Sequence, residues 1–408
     1  MLNRGRSREM WWSQWENKQH GALGNFYFLD YNLTMNKMNF RVFLLSLLLM
    51  LLVACGSAPA AEPTNTVVST EPPLPAATTN TAEAVPSPTA LPEIINADTI
   101  SRLSIISSFG EGESLRKLAF SPDGSVLASA GGNNEDFNIR LYDVASGTLL
   151  QVISGHTDIV WDIEFSPDGQ FFASVSSDRT AKVWNLNTEL PIQSIAFPNE
   201  VISVSFSPDS QVMAVGGVDN WPDAAIWTYS TSSWQPITKL AALWNIPDIV
   251  YTADGQRLVG GGISRNVRVW NAISGAEIFV LNHSGQVSSI DISPDGSTVA
   301  TGLCQDSDDN AVCTLGAVWL WNLQSGELIR QLSDFNTWAE DLAYSPDGSL
   351  LFAGSRDGAL RVYDSSSYET LLSTSSPGGG GIMALSRDGR LLATAGFNGL
   401  IHLWQVVS

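Results

Sequence analysis

Histidine and cysteine are scarce: 4 His and 3 Cys in 408 residues. The histidines (His20, His156, His283 and His402) are scattered, and a zinc site wants four ligands, so neither a transition-metal centre nor any cofactor is expected. Positive charge is thin as well. The 21 Lys and Arg stand against 41 Asp and Glu, a formal net charge of −20. A basic patch for phosphate backbones is missing, which excludes nucleic acid as a partner. Nor does any apolar run reach the roughly 20 residues that span a bilayer. The run from Val42 to Val53 is too short.

What the chain has instead is one short phrase, written seven times. It reads Phe120-Ser-Pro-Asp-Gly124, Phe165-Ser-Pro-Asp-Gly169, Phe206-Ser-Pro-Asp-Ser210 and Tyr251-Thr-Ala-Asp-Gly255, then Ile292-Ser-Pro-Asp-Gly296, Tyr344-Ser-Pro-Asp-Gly348 and Leu385-Ser-Arg-Asp-Gly389. Each is a tight turn: Pro presets φ, Asp caps through its side chain, and Gly supplies the left-handed position. The turn aspartates recur at intervals of 41 to 52 residues, the period of a repeat array. A strand-ending aromatic follows each turn: Tyr142, Trp184, Trp227, Trp270, Trp321, Tyr363 and Trp404. The commonest turn-to-aromatic offset is 16 residues, and larger ones mark insertions near 133–136, 220–223 and 305–315.

On these two marks, residues 98–408 resemble the WD40 repeat family. The resemblance implies an all-β, seven-bladed β-propeller with four antiparallel strands per blade. The last repeat stops after its third strand, and a spare strand near Ile100–Ser107 precedes the first. That strand is expected to complete the seventh blade and leave no open edge. The family's hydrogen-bonded tetrad is whole only in the second blade, as His156, Ser174, Asp178 and Trp184. The fifth blade offers His283, Thr301 and Trp321. In the sixth, Asp357 is kept but Ala353 replaces the hydroxyl. His156, Ser174 and Asp178 also spell a hydrolase set, but no nucleophile elbow accompanies them, so they read as a buried structural network.

The N-terminal part reads differently. Met35-Asn-Lys-Met-Asn-Phe-Arg41 is a short basic lead to the apolar run, and Leu52-Val53-Ala54-Cys55 matches a bacterial lipobox. Residues 35–54 are therefore expected to be a cleaved lipoprotein signal peptide, with lipid on Cys55. Residues 1–34 are expected to be a mis-assigned upstream extension, with translation starting at Met35 or Met38; a genuine cytosolic extension is the alternative. Residues 55–97, rich in Pro, Thr and Ala, cannot bury a core and read as a disordered tether. The expected location is outside the cytoplasm, lipid-anchored to the cell membrane, with the acidic propeller held in solution as a monomer. In that oxidising setting Cys304 and Cys313, which flank the longest insertion, are expected to form a disulfide. Asp306, Asp308, Asp309 and Asn310 in the same insertion lack the Gly and Glu of an EF-hand and read as a solvated loop.

In the family the Ser-Pro-Asp-Gly turns lie on one face and the variable loops on the other. All three insertions fall on the loop face, where function usually lives. Arg116, Trp161 and Glu340 hold equivalent positions four residues before a turn's lead residue, which puts them around the channel mouth. Trp221, Trp244 and Trp338 map to the same face, and Trp and Arg are typical interface anchors. The expected function is a non-catalytic scaffold binding a protein partner through the loop face. A binder of glycans or other cell-envelope material is the alternative. An enzyme is a third reading, with Glu340 and Asp341 as the only adjacent inner carboxylates.

Overall fold

The computed structural model describes residues 91–408 apart from 111–113, 133–135, 187, 189, 221, 244 and 309–311. Cys55, the signal peptide, most of the tether, Trp221 and Trp244 lie outside the described residues. The compact unit runs from Leu91 to Ser408. It starts ahead of residue 98 because Ile95 and Ile100 pack into the core beside Leu350, Phe352 and Trp404.

Seven sheets of four antiparallel strands make up this unit, and in six of them the strand order follows the chain. Blade 1 shows the plan: Leu115–Phe120 innermost, then Val126–Gly131, Ile139–Asp143 and Leu149–Ile153 outermost. The seventh sheet differs. Its strands Ile382–Leu385, Leu392–Ala395 and Ile401–Val406 are completed by Leu103–Phe109 from the start of the unit. Leu103 pairs with Val406 and Phe109 with Ile401. The innermost strands touch in sequence around the ring, and that of blade 7 returns to that of blade 1. The expected propeller and its closure are both present.

The turns form for the reasons their residues suggest. In blade 1, Ser121 Oγ donates to Asp123 Oδ1 at 2.6 Å, and the Ser125 N–H donates to the same oxygen. The Val126 N–H is held by Ser121 Oγ, and Gly124 sits at φ 72°. The same hydroxyl-to-aspartate bond recurs at Asp168, Asp209, Asp254, Asp295, Asp347 and Asp388. At Asp123, Asp209, Asp254 and Asp295 the hydroxyl first, then the backbone N–H, holds the carboxyl below its ordinary range. Ser210 takes the glycine place at φ 60°. Its Oγ accepts from the Asp168 N–H of the neighbouring turn at 3.1 Å.

The core lies between blades rather than within one. Trp184 and Phe172 of blade 2 pack with Ala128, Ile139 and Ile163 from blades 1 and 2. Their rings stack at 6.0 Å. The cross-strand partner of the second strand's first core residue is Tyr142, Trp184, Trp270, Trp321, Tyr363 and Trp404 in six blades. In blade 3 it is Tyr229, opposite Met213. This corrects the expected Trp227, which lies two residues earlier, packs at 5.0 Å on Phe197 and stays half-buried. The insertion before it is therefore longer by two residues than the sequence count gave.

Candidate functional site at the central channel

Blade 2 holds its tetrad as expected. His156 Nδ1 lies 2.8 Å from Asp178 Oδ2, and Nε2 lies 2.7 Å from Ser174 Oγ. The Trp184 N–H donates to the same hydroxyl at 2.8 Å. Burial opposes the charge on Asp178, but hydrogen bonds from His156 and Thr180 outweigh it and hold the carboxyl low. The geometry is that of a proton relay, yet Ser174 is 0 % exposed and no substrate reaches it. In blade 5, His283 Nε2 meets Thr301 Oγ1 at 2.9 Å and accepts from the Trp321 N–H at 3.0 Å. Burial, only partly offset by the Leu281 carbonyl, lowers the His283 pKa to about 4. Blade 6 uses another solution: the Tyr363 hydroxyl donates to Asp334 at 2.9 Å.

Cys304 and Cys313 have their sulfurs at bonding distance, 2.20 Å. The insertion they flank is less loop-like than expected. Its two strands, Thr298–Ser307 and Cys313–Asn322, extend into one long hairpin. Among the described residues no group of His, Cys, Asp and Glu is arranged to hold a metal ion. Asp309 and Asn310 lie outside the described residues.

Five of the seven innermost strands carry a bulge, and the bulge shapes the loop-face mouth. Register slips between Leu115 and Lys117, Val160 and Asp162, Val201 and Ser203, Val287 and Ser289, and Ala339 and Asp341. The residues passed over are Arg116, Trp161, Ile202, Ser288 and Glu340. A bulge re-aims its extra side chain. Arg116 lies over the Trp161 ring at 5.0 Å, and the Trp161 N–H donates to Ser177 at 2.7 Å. Glu340 pairs with Arg356 at 3.6 Å, and Arg356 lies 5.7 Å from the Phe397 ring. Burial raises the Glu340 pKa, against the pull of Arg356 and Arg116. Arg116, Trp161 and Glu340 are thus brought to one mouth, with Arg356 and Phe397 that the sequence reading missed. Half-buried Trp338 begins the same strand connection. In the column of Arg116, Trp161 and Glu340, blade 7 has Gly381, at the end of a Pro377-Gly378-Gly-Gly-Gly381 run. In the first insertion Asp136 is paired with Arg140 at 2.5 Å.

One turn further in, the channel wall holds a ring of polar staples that sequence reading did not find. Asp162 accepts from the Val204 N–H of the next blade at 2.9 Å. Asp248 does the same for Ile290 at 2.7 Å, and Asp341 for Met383 at 2.9 Å. Ser289 accepts from Leu342, and Ser203 donates to the Ile246 carbonyl. All five sit at the third residue before a turn's lead residue, so tabulating that column would have exposed them. The remaining junctions carry Ile382 and Lys117, whose ammonium lies 3.8 Å from Asp162. Deeper still, Asp291 accepts from the Tyr344 N–H at 2.6 Å. Burial first, against the pull of Lys117, pushes Asp248 and Asp291 to about 7. Burial and then Asp162 push Glu164 to about 8. Lys117 keeps its proton: burial works against the charge, but Asp341, Asp162, Asp248 and Glu164 outweigh it.

At the opposite, turn-face end the channel widens into a cavity of about 470 Å³ walled by blades 1, 2, 3, 4 and 7.

Comparison with known proteins agrees with this architecture. The family described as WD domain, G-beta repeat matches residues 104–143, 147–185, 275–313, 326–364 and 369–405. These stretches end in blades 1, 2, 5, 6 and 7. Blade 3, with its displaced aromatic, and blade 4, with Thr-Ala in its turn, are not matched. The serine-threonine kinase receptor-associated protein of Gallus gallus is 27% identical over 294 residues, 71% of this chain and 78% of that protein. The Nuclear distribution protein PAC1-1 of Uncinocarpus reesii is 27% identical over 276 residues, 63% of this chain and 60% of that protein. The Periodic tryptophan protein 2 homolog of Dictyostelium discoideum is 23% identical over 279 residues, 60% of this chain and 29% of that protein. Repeats and blades together make this chain a member of the WD40 repeat family, folded as a seven-bladed β-propeller.

Proposed function

We propose that this chain is an exported lipoprotein whose propeller is a non-catalytic scaffold for a protein partner, gripped by the loop-face mouth. The observation that carries the reading is the bulge on the inner strands of blades 1, 2 and 6. It re-aims Arg116, Trp161 and Glu340, with Arg356 paired to Glu340, into one mixed-charge, aromatic rim, the composition of interface anchors. Charge and ring are already arranged before a partner arrives, which lowers the ordering cost of binding. The Gallus gallus relative is named for association with a kinase receptor, so partner binding has a precedent at this level of similarity. A glycan platform is less well supported, because the Trp161 face is covered by Arg116 and its N–H is engaged by Ser177.

Anchoring rests on the basic lead, the short apolar run and the Leu-Val-Ala-Cys55 match. Two experiments test the halves separately. In a bacterial host, Cys55→Ala should lose the labelled fatty acid that the parent carries; no label on either protein contradicts the anchor. In a pull-down from the cell envelope, Trp161→Ala with Glu340→Ala should lose the partner that the parent retains. Retention by that variant, still folded by circular dichroism, contradicts the loop-face site.

A further inference from the structure

The turn-face cavity is a second site, opposite in position and different in chemistry. Its wall is built by the lead residues of four successive turns: Phe120, Phe165, Phe206 and Tyr251. A volume of about 470 Å³ lies within the range of small-molecule pockets, which are mostly apolar with a few placed polar groups. Here the placed groups are Glu164 and Arg387. Glu164 occupies the column where blades 1, 3, 4 and 7 have Ala119, Ser205, Val250 and Ala384, so it brings the wall its carboxylate. Its contact with the Phe206 N–H is long, at 3.4 Å. The channel behind it is acidic: Asp162, Asp248, Asp291 and Asp341 interact with Lys117.

Arg387 stands where five of the other turns have proline. It is exposed, and its Nη1 donates to the Pro167 carbonyl at 2.7 Å. That bond ties the turn of blade 7 to the turn of blade 2, across blade 1, at the rim of the cavity.

We propose that this cavity binds a small organic cation, a primary alkylammonium, with its ammonium on Glu164 and its hydrocarbon body against the aromatic wall. The charge argument excludes an anion, since the channel would repel it. An aromatic wall favours a cation over a neutral alcohol of the same shape. Burial leaves Glu164 protonated near neutrality, and an occupant bringing positive charge relieves that penalty. Arg387 is the resident competitor, a cation that lines the same cavity. This inference does not depend on the loop-face reading, because the two sites lie at opposite ends of the channel.

The test is calorimetric titration of the full chain with n-pentylammonium, with 1-pentanol as the neutral isostere. The expected result is millimolar binding of the amine, at least about tenfold tighter than the alcohol. Glu164→Gln should weaken the amine by about tenfold or more and leave the alcohol unchanged. Arg387→Ala, an exposed position that does not threaten folding, should tighten the amine severalfold. Equal binding of amine and alcohol overturns the proposal. So does amine binding that neither variant alters, or no binding of the amine at millimolar concentration.

Discussion

Replacing Lys117 with methionine removes one positive charge from the channel while keeping most of the side chain's bulk. In the parent its ammonium sits 3.8 Å from Asp162. At the effective dielectric of such sites, about 20, that pair alone is worth about 4 kcal/mol of Coulomb energy. Desolvation offsets part of this, and the Lys117 side chain is 30% exposed to the channel, so the net loss should be nearer 3 kcal/mol. The loss must depend on pH. Asp248 and Asp291 ionise near 7 and Glu164 near 8, against ordinary values of 3.8 and 4.5. For a carboxyl raised in the folded state, stability is complete below the unfolded pKa and is lost as pH rises through the folded one. At pH 5 Asp248, Asp291 and Glu164 are neutral and at pH 8 they are charged around Lys117, so Lys117→Met should cost more at pH 8 than at pH 5. At about 2 °C per kcal/mol for a unit of this size, a loss of about 3 kcal/mol lowers Tm by about 6 °C, and the fall should be larger at pH 8 than at pH 5. Thermal unfolding of parent and variant at the two pH values reads this directly. An equal loss at both refutes the electrostatic account and leaves only packing.

Three further outcomes follow from the same contacts. Ser174→Ala strands the Trp184 N–H and His156 Nε2 inside blade 2 and should cost about 2–3 kcal/mol in urea unfolding, whereas Ala353→Ser in blade 6, where Tyr363 turns to Asp334 instead, should gain little. A non-reduced tryptic digest of protein made in an oxidising compartment should contain the Cys304–Cys313 link, and reduction should cost up to about 2.5 kcal/mol for a loop of sequence separation 9. Removing residues up to Phe109 uncovers the edge of Ile401–Val406, and size-exclusion chromatography should show aggregation that the parent does not.

The fold was legible because its signals are local and repeated. A Ser-Pro-Asp-Gly turn needs only its own hydroxyl, carboxylate and glycine, and an alternating strand needs only its own pattern. The closing strand was legible because a third strand was left without a fourth. Blade 3 misled because Trp227 and Tyr229 are both aromatic and two apart, so they share a strand face. Only the pairing of Met213 with Tyr229 decides between them. The channel staples were hidden for another reason. Asp162, Asp248 and Asp341 bond to backbone about 42 residues on, and no single repeat contains both partners. Arg387 looked like a lapse in a turn motif, while its partner, the Pro167 carbonyl, lies five blades away in the chain and two around the ring.

The central claim is that a partner is held at the loop face and not at the turn face. Site-specific photo-cross-linking in intact cells tests it most directly, with benzoylphenylalanine placed at Trp338 on the loop face or at exposed Ser325 in a turn-face connection. The account predicts a discrete higher-mass adduct from position 338 and none from position 325. An adduct from 325 alone would contradict it.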